Sequence, residues 1–186
     1  MKQLISMALC VLLMAGCSGS HKDLDRAAKL RSDLLNAEEC TFHGEITADY
    51  GSDVFSFEVD CTADREGTVR FLINAPQTIA GIGGSLSHHG GELSFQDTVL
   101  QIGMLADDRV TPVAAPWIFI KTLRSGSVTA ACREGDLLRL TIRDGYEEGA
   151  LQGDLWIDSA DRPVMGEFLY EGKRILSLKI TDFQIR

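Results

Sequence analysis

The sequence is poor in proline, in basic side chains and in long apolar runs. Only 4 prolines occur in 186 residues, and 27 acidic side chains outnumber 18 basic ones, which gives a formal net charge of −9. Such a chain lacks the Lys and Arg clusters that hold phosphate groups, so we expect no nucleic-acid partner and no polybasic attachment to anionic lipid. The apolar stretch at residues 4–14 is too short to span a bilayer.

Motifs that carry catalysis or hold metals are also missing. The glycine-rich residues 81–84 do not precede a predicted helix, so they do not match a phosphate-binding loop, and no Gly-x-Ser-x-Gly motif occurs. His88 and His89 are neighbours on a predicted strand and would point to opposite faces, so we interpret them as a hairpin end. The acidic pairs at 107–108 and 147–148 are predicted to be solvated turns. We therefore expect a non-enzymatic protein without metal or cofactor.

The N-terminus has the pattern of a lipoprotein signal peptide. Lys2 precedes the apolar stretch, and Leu13-Met14-Ala15-Gly16-Cys17 resembles the bacterial lipobox, in which small residues lie just before a cysteine. The resemblance implies that residues 1–16 are removed and that Cys17 receives a diacylglycerol group with acyl chains such as palmitate. It also places the protein outside the cytoplasm on the cell membrane, or on the outer membrane where the organism has one. The alternative is an ordinary signal peptide with a chance cysteine.

Three cysteines remain after removal of Cys10 and lipidation of Cys17. Cys40 and Cys61 lie on the same apolar face of a predicted hairpin with its turn near Gly51, and their positions nearly oppose each other. They form either a disulfide or two buried free thiols. Cys132 has no evident partner and no histidine nearby in the sequence.

Hydrophobic periodicity divides the chain into helices and strands. Residues 22–37 carry apolar side chains at helical spacing and contain neither Pro nor Gly, so they predict a helix. From Cys40 the period changes to two, in three stretches separated by turns near Gly51 and Gly67, which predicts a meander with one packed face. The alternation resumes at residues 127–133 and continues to the C-terminus, for about ten strands in all.

Residues 111–126 interrupt this alternation. Thr111 suits a helix N-cap, Pro112 or Pro116 suits the first turn, and Gly126 suits the C-cap. Apolar side chains cover nearly the whole circumference between them, and such a helix must be buried. We predict a short plug helix in the hollow of a curved antiparallel sheet.

The predicted fold class is therefore mainly β with helices (α+β). It is an incomplete β-barrel of about ten strands, lidded by the N-terminal helix and the central apolar helix. The lipobox, the N-terminal helix leading into the meander, and the central residues 112–124 followed by hairpins resemble the LolA/LolB-like lipoprotein-carrier superfamily. Residues 74–82 are similar to small lipoproteins of Gram-positive spore-formers. The resemblance implies a tether at 17–21, one domain at 22–186, and binding of acyl chains in the hollow or of a protein on the surface.

The hollow has six candidate lining residues, which either enclose a ligand pocket or fill a solid core. They are Phe57, Phe71, Phe95, Trp117, Phe119 and Ile120. One hypothesis is a membrane-anchored, non-enzymatic lipoprotein that binds an acyl chain or a lipoprotein in this hollow. The alternative is an envelope interaction or scaffold protein with a filled core, which stabilises a partner such as a sporulation or germination factor.

Overall fold

The computed structural model describes residues 21–103, 105–106, 109–145 and 150–186. The predicted signal peptide, Cys17 and the acidic pairs at 107–108 and 147–148 lie outside these residues. None of the described helices has the length and apolar character needed to cross a bilayer. In chain order the elements are α1 (His21–Asn36), β1 (Glu39–Asp49), β2 (Val54–Asp64), β3 (Val69–Ala75), β4 (Gly83–Ser87), β5 (Gly90–Phe95), β6 (Thr98–Ile102), β7 (Leu105–Ala106), β8 (Arg109–Val110), α2 (Ala115–Ser125), β9 (Ser127–Glu134), β10 (Leu137–Asp144), β11 (Leu151–Ile157), β12 (Pro163–Tyr170) and β13 (Lys173–Ile185).

Eleven of these strands form one antiparallel sheet. Its order is β6-β5-β4-β3-β2-β1-β13-β12-β11-β10-β9, and β7 pairs with β8 separately. Among the strands that the structure describes, only β1 and β13 pair although they are far apart in the chain, with Gly44 opposite Ile180 and Ala48 opposite Leu176. Among the described strands β6 and β9 are the two edges and do not pair with each other, so the barrel is open. The incomplete antiparallel barrel predicted from the sequence is confirmed.

Alternation of side chains explains the core. On β1 every second residue from Cys40 to Ala48 is buried, and the residues that alternate with them are half-buried or exposed. β2 and β3 repeat this pattern, and their inward residues belong to the same hydrophobic cluster as those of β10 to β13. The predicted three-stranded meander is therefore confirmed, and one face of the sheet is buried while the other meets solvent.

The central helix lies in the hollow as predicted, but its ends differ in detail. A short 3-10 helix, Pro112–Ala114, precedes α2, and the side chain of Thr111 makes no capping hydrogen bond. Gly126 is the C-cap and donates its N–H to Thr122 O, with φ of −68°. Glycine is needed there for space, since an added Cβ would lie 2.4 Å from Ile142 Cγ2. A left-handed backbone is not the reason.

An arginine of each helix hydrogen-bonds carbonyl groups at the C-terminal end of the other. Arg31 of α1 donates from Nε to Leu123 O at 2.9 Å and from Nη2 to Gly126 O at 2.5 Å. Arg124 of α2 donates from Nη1 to Leu34 O at 3.0 Å. Carbonyls at a helix C-terminus have no partner within the helix, and positive charge is favourable there. These contacts fasten α1 and α2 to each other over the sheet.

Replacing Arg31 with methionine is expected to lower the free energy of unfolding by about 1.5–3 kcal/mol, because it removes two charge-assisted hydrogen bonds and keeps the aliphatic stem. Urea unfolding followed by circular dichroism measures this change. Lys29→Met on the same helix is the matched control, since Lys29 is exposed and forms an exposed ion pair with Asp33. Its midpoint should stay close to that of the parent protein. Equal effects of the two substitutions would contradict the role given to Arg31.

Candidate functional site

The hollow of the sheet is occupied by α2. Phe119 is fully buried, and its ring meets those of Phe42 and Phe183 edge to face, with centroids 5.4 and 6.4 Å apart. On the sheet below, a Cβ added at Gly166 would lie 3.5 Å from the Phe119 ring. Aromatic pairs in this geometry contribute beyond the area they bury. The ring of Phe119 is therefore packed on several sides by the sheet.

The structure brings four of the six predicted lining residues into the core and separates the other two. Phe57, Phe71, Phe119 and Ile120 are all buried in one hydrophobic cluster. Trp117 is half-buried against that cluster, and Phe95 is 47% exposed at the end of β5. The four buried side chains form a solid core around α2, so their role as a ligand lining stays a prediction.

Part of the concave face extends past α2 and is open to solvent. In the β5–β6 hairpin Leu93 lies opposite Leu100, and Gly91 lies opposite Ile102. Because alternate residues share a face, Leu93, Phe95, Leu100 and Ile102 all lie on the concave side. We call these four side chains the apolar strip. Leu100 is 60% exposed, and Leu93 and Ile102 are half-buried against the core.

Two glycines between the core and the apolar strip leave space that core side chains fill. A Cβ added at Gly84 would lie 2.5 Å from the ring of Phe71, and one at Gly91 would lie 2.5 Å from the side chain of Leu86. Phe71 and Leu86 therefore lie over the backbone of the next strand, in the space that a larger residue would fill. An apolar surface runs without interruption from the buried core to the edge strand.

Sequence reasoning missed most of the apolar strip. It predicted Phe95 but not Leu93, Leu100 or Ile102, because β6 was not recognised as a strand. The five residues of β6 read Thr-Val-Leu-Gln-Ile and follow a reversal at Gln96, whose φ is +51°. Three of these residues are β-branched, a composition favoured in strands, and this was the available signal. The two short strands β7 and β8 follow β6 in the chain and were not predicted either.

Two of the clefts on the described surface lie away from α2. One of about 240 Å³ lies between the β11–β12 turn and β13, where Asp158, Arg162 and Asp182 contribute to its wall. The other, of about 310 Å³, lies where β3 ends beside β2. A cavity between the Trp117 segment and the sheet was the expected ligand site, and neither cleft corresponds to it.

The remaining candidate groups lie apart from one another. His88 and His89 are in the turn between β4 and β5, which agrees with the predicted hairpin end. Their rings are 3.6 Å apart, however, so the expectation that they point to opposite faces was wrong, because turn residues do not alternate as strand residues do. Among the described residues, no three His, Cys, Asp or Glu side chains are grouped to hold a metal ion.

Cys40 and Cys61 are free thiols in the structure. The register places Cys40 opposite Ala63 and Cys61 opposite Phe42, so the two cysteines are diagonal neighbours and are not directly opposed. Burial raises the pKa of the Cys40 thiol to about 12 and raises that of Cys61 well above its usual value. A buried, protonated thiol is a poor nucleophile. A disulfide between them stays a prediction.

No protein-family model and no curated protein matches the chain. It is similar to the solved structure of an uncharacterized conserved protein of Thermus thermophilus (14% identity over 89% of this chain and 86% of that one, TM-score 0.49). It is similar to a chain of the CwlD amidase complex with the GerS lipoprotein of Clostridioides difficile (11% identity, 93% and 100% covered, TM-score 0.46). It is also similar to a LolA superfamily protein of Nitrosomonas europaea (11% identity, 86% and 93% covered, TM-score 0.43).

At these identities the likeness concerns the fold alone. The open antiparallel sheet with a helix in its hollow, as predicted from the sequence, is confirmed.

Proposed function

We propose that this chain is a non-enzymatic, lipid-anchored protein of the cell envelope that binds an acyl chain on the concave face of its sheet. The observation that supports the proposal is the apolar strip, where Leu100 is 60% and Phe95 is 47% exposed at the end of an otherwise buried face. Contiguous apolar surface of this kind marks a binding site more often than scattered apolar residues do. Covering it with hydrocarbon is favourable by about 0.8 kcal/mol per methylene group removed from water.

The chemistry of the apolar strip suits a hydrocarbon chain. None of the five residues of β6 is charged, and Leu93 and Phe95 face the same side of the neighbouring strand. The full burial of Phe119 leaves no room for a ligand beside that ring. We therefore place the acyl chain along the apolar strip, outside the part of the face that α2 covers. This location differs from the one expected from sequence, which was the space between the helix and the sheet.

Binding of cis-parinaric acid, a fluorescent fatty acid, tests this proposal. The protein is prepared with Cys17→Ser so that its own anchor does not compete, and is freed of lipid before titration. Leu100→Asp is expected to weaken binding at least about tenfold, because a carboxylate would be buried against hydrocarbon. Val99→Asp is the matched control, since Val99 is the adjacent residue, is 61% exposed and lies on the opposite face. Equal affinity of the two variants, or no binding by the parent protein, would refute the site.

A second candidate function is favoured by the packing of α2. Phe119 and Ile120 are fully buried by the chain itself, as expected for the filled core of an envelope interaction protein that stabilises a partner. Recovery of one stoichiometric partner from cells with both the parent protein and Leu100→Asp would favour this function over acyl-chain binding.

A further inference from the structure

β2 extends beyond its neighbour β3. It pairs with β1 along its whole length, but its pairing with β3 ends where Glu58 lies opposite Ala75. Pro76 follows, and because proline has no N–H it cannot continue the ladder. Among the described residues, residues 54–57 therefore have no strand paired to them on the β3 side.

The unpaired backbone groups of this segment can be assigned from the ladder. Asp64 donates its N–H to Thr68 O, across the turn that joins β2 to β3. The pairing of β2 with β1 is regular at all its residues, so alternate residues keep the same orientation. The N–H and C=O groups of Val54 and Ser56 therefore point away from β1, toward the side on which β3 pairs with the rest of β2.

The convex side of this edge is acidic. A cleft of about 310 Å³ is lined by Glu45, Ser56 and Glu58 together with Ala75 and Pro76. The two carboxylates lie directly opposite each other on β1 and β2, an unfavourable placement for like charges. Glu45 is paired with Lys179 at 2.9 Å, and no ion pair within the described part of the chain involves Glu58.

The concave side of the same edge is apolar. Phe57 is buried in the core, and Phe55 is 48% exposed beside the ring of Tyr50, with centroids 6.3 Å apart. A strand added here would have side chains that alternate between the acidic cleft and this aromatic surface.

We propose that the exposed edge of β2 accepts a short extended segment of a partner protein in which basic and apolar residues alternate. The backbone of the segment would pair with Val54 and Ser56, as in other cases of strand addition to a sheet edge. Its basic side chains would lie beside the carboxylate of Glu58, and its apolar side chains would cover Phe55. This inference is independent of the acyl-chain site.

The negative charge at this edge favours a basic peptide over a second copy of the chain or anionic lipid. A second copy of the chain would add another net charge of −9 and a second pair of carboxylates at the same edge. Anionic lipid is disfavoured at the cleft for the same reason. The basic side chains of a peptide would be attracted to the acidic convex face. The unpaired edge is only four residues long, so it suits a short peptide better than a large protein surface.

The test is fluorescence anisotropy with the full lipidated chain in uncharged detergent micelles and a labelled peptide, acetyl-Lys-Val-Lys-Val-Lys-Val-amide. We expect binding that weakens at least about tenfold with Glu58→Lys and weakens with added salt. Glu92→Lys is the matched control, because Glu92 is an exposed acid on the same sheet face, away from the cleft. Ser56→Pro, which removes one backbone donor of the edge, should also weaken binding.

Several results would overturn the proposal. One is that a peptide with Glu in place of Lys binds as tightly as the basic peptide. Another is that Glu58→Lys and Glu92→Lys change the affinity equally, and a third is that the basic peptide does not bind at millimolar concentration. A dimer that Ser56→Pro dissociates would show that a second copy occupies the edge instead. If Ser56→Pro does not fold, the comparison of Glu58→Lys with Glu92→Lys decides the outcome.

Discussion

Replacing Phe119 with alanine is expected to lower the free energy of unfolding by about 3–5 kcal/mol. The ring is fully buried and makes edge-to-face contacts with Phe42 and Phe183, so its removal loses both apolar burial and aromatic contacts. The cavity would lie between a helix and a sheet held by many hydrogen bonds, which limits its collapse. Urea unfolding monitored by circular dichroism and by tryptophan fluorescence measures the loss.

Phe95→Ala is the matched control for this experiment. The same side chain is truncated, but Phe95 is 47% exposed at the end of β5. Its cost should be about 1 kcal/mol or less, as for most partly exposed positions. If Phe119→Ala were as mild as Phe95→Ala, α2 would not be the packed centre of the fold.

Replacing Cys17 with serine is expected to move nearly all of the protein from the membrane pellet to the supernatant after ultracentrifugation. Serine has no thiol to receive diacylglycerol, and the apolar stretch at residues 4–14 is too short to serve as a membrane span. Two or more acyl chains hold a protein firmly on a bilayer, whereas one is marginal. Immunoblotting of the two fractions and metabolic labelling with an alkyne analogue of palmitate measure the change.

Cys132→Ser is the matched control for lipidation. It removes a thiol from β9 and leaves the lipobox intact, so the variant should stay in the pellet and keep its label. Retention of Cys17→Ser in the pellet would contradict anchoring through Cys17 and would favour attachment through the folded domain.

Predictions from the sequence were correct where they depended on the residues of a single helix or strand. The all-round apolar character of residues 111–126 predicted a buried helix, and Phe119 and Ile120 are buried accordingly. The predictions failed where the environment of a residue depends on distant strands. Phe71 and Phe95 are both aromatic residues of predicted strands, yet Phe71 is 6% and Phe95 47% exposed. Phe71 lies on β3, which packs against α2, whereas Phe95 lies on β5, next to the edge strand of the sheet.

The same limit applies to contacts between neighbouring strands. Cys40 and Cys61 were correctly predicted to lie on one face of a hairpin, but their diagonal offset could not be predicted, because composition does not specify the length of the turn. The edge of β2 at residues 54–57 was not foreseen, since it exists only because β3 ends at Ala75. A local pattern does not report the length of a neighbouring strand.

The sequence alone determined the class of elements, the side of each strand that is apolar and the need to bury the central segment. These follow from periodicity, because a side chain's face depends only on its position within its own helix or strand. The tertiary structure decided the pairing of β1 with β13, the part of the concave face that α2 covers, and the edges that remain open. Those features depend on contacts between residues far apart in the chain, such as Ala48 and Leu176, which no local pattern specifies.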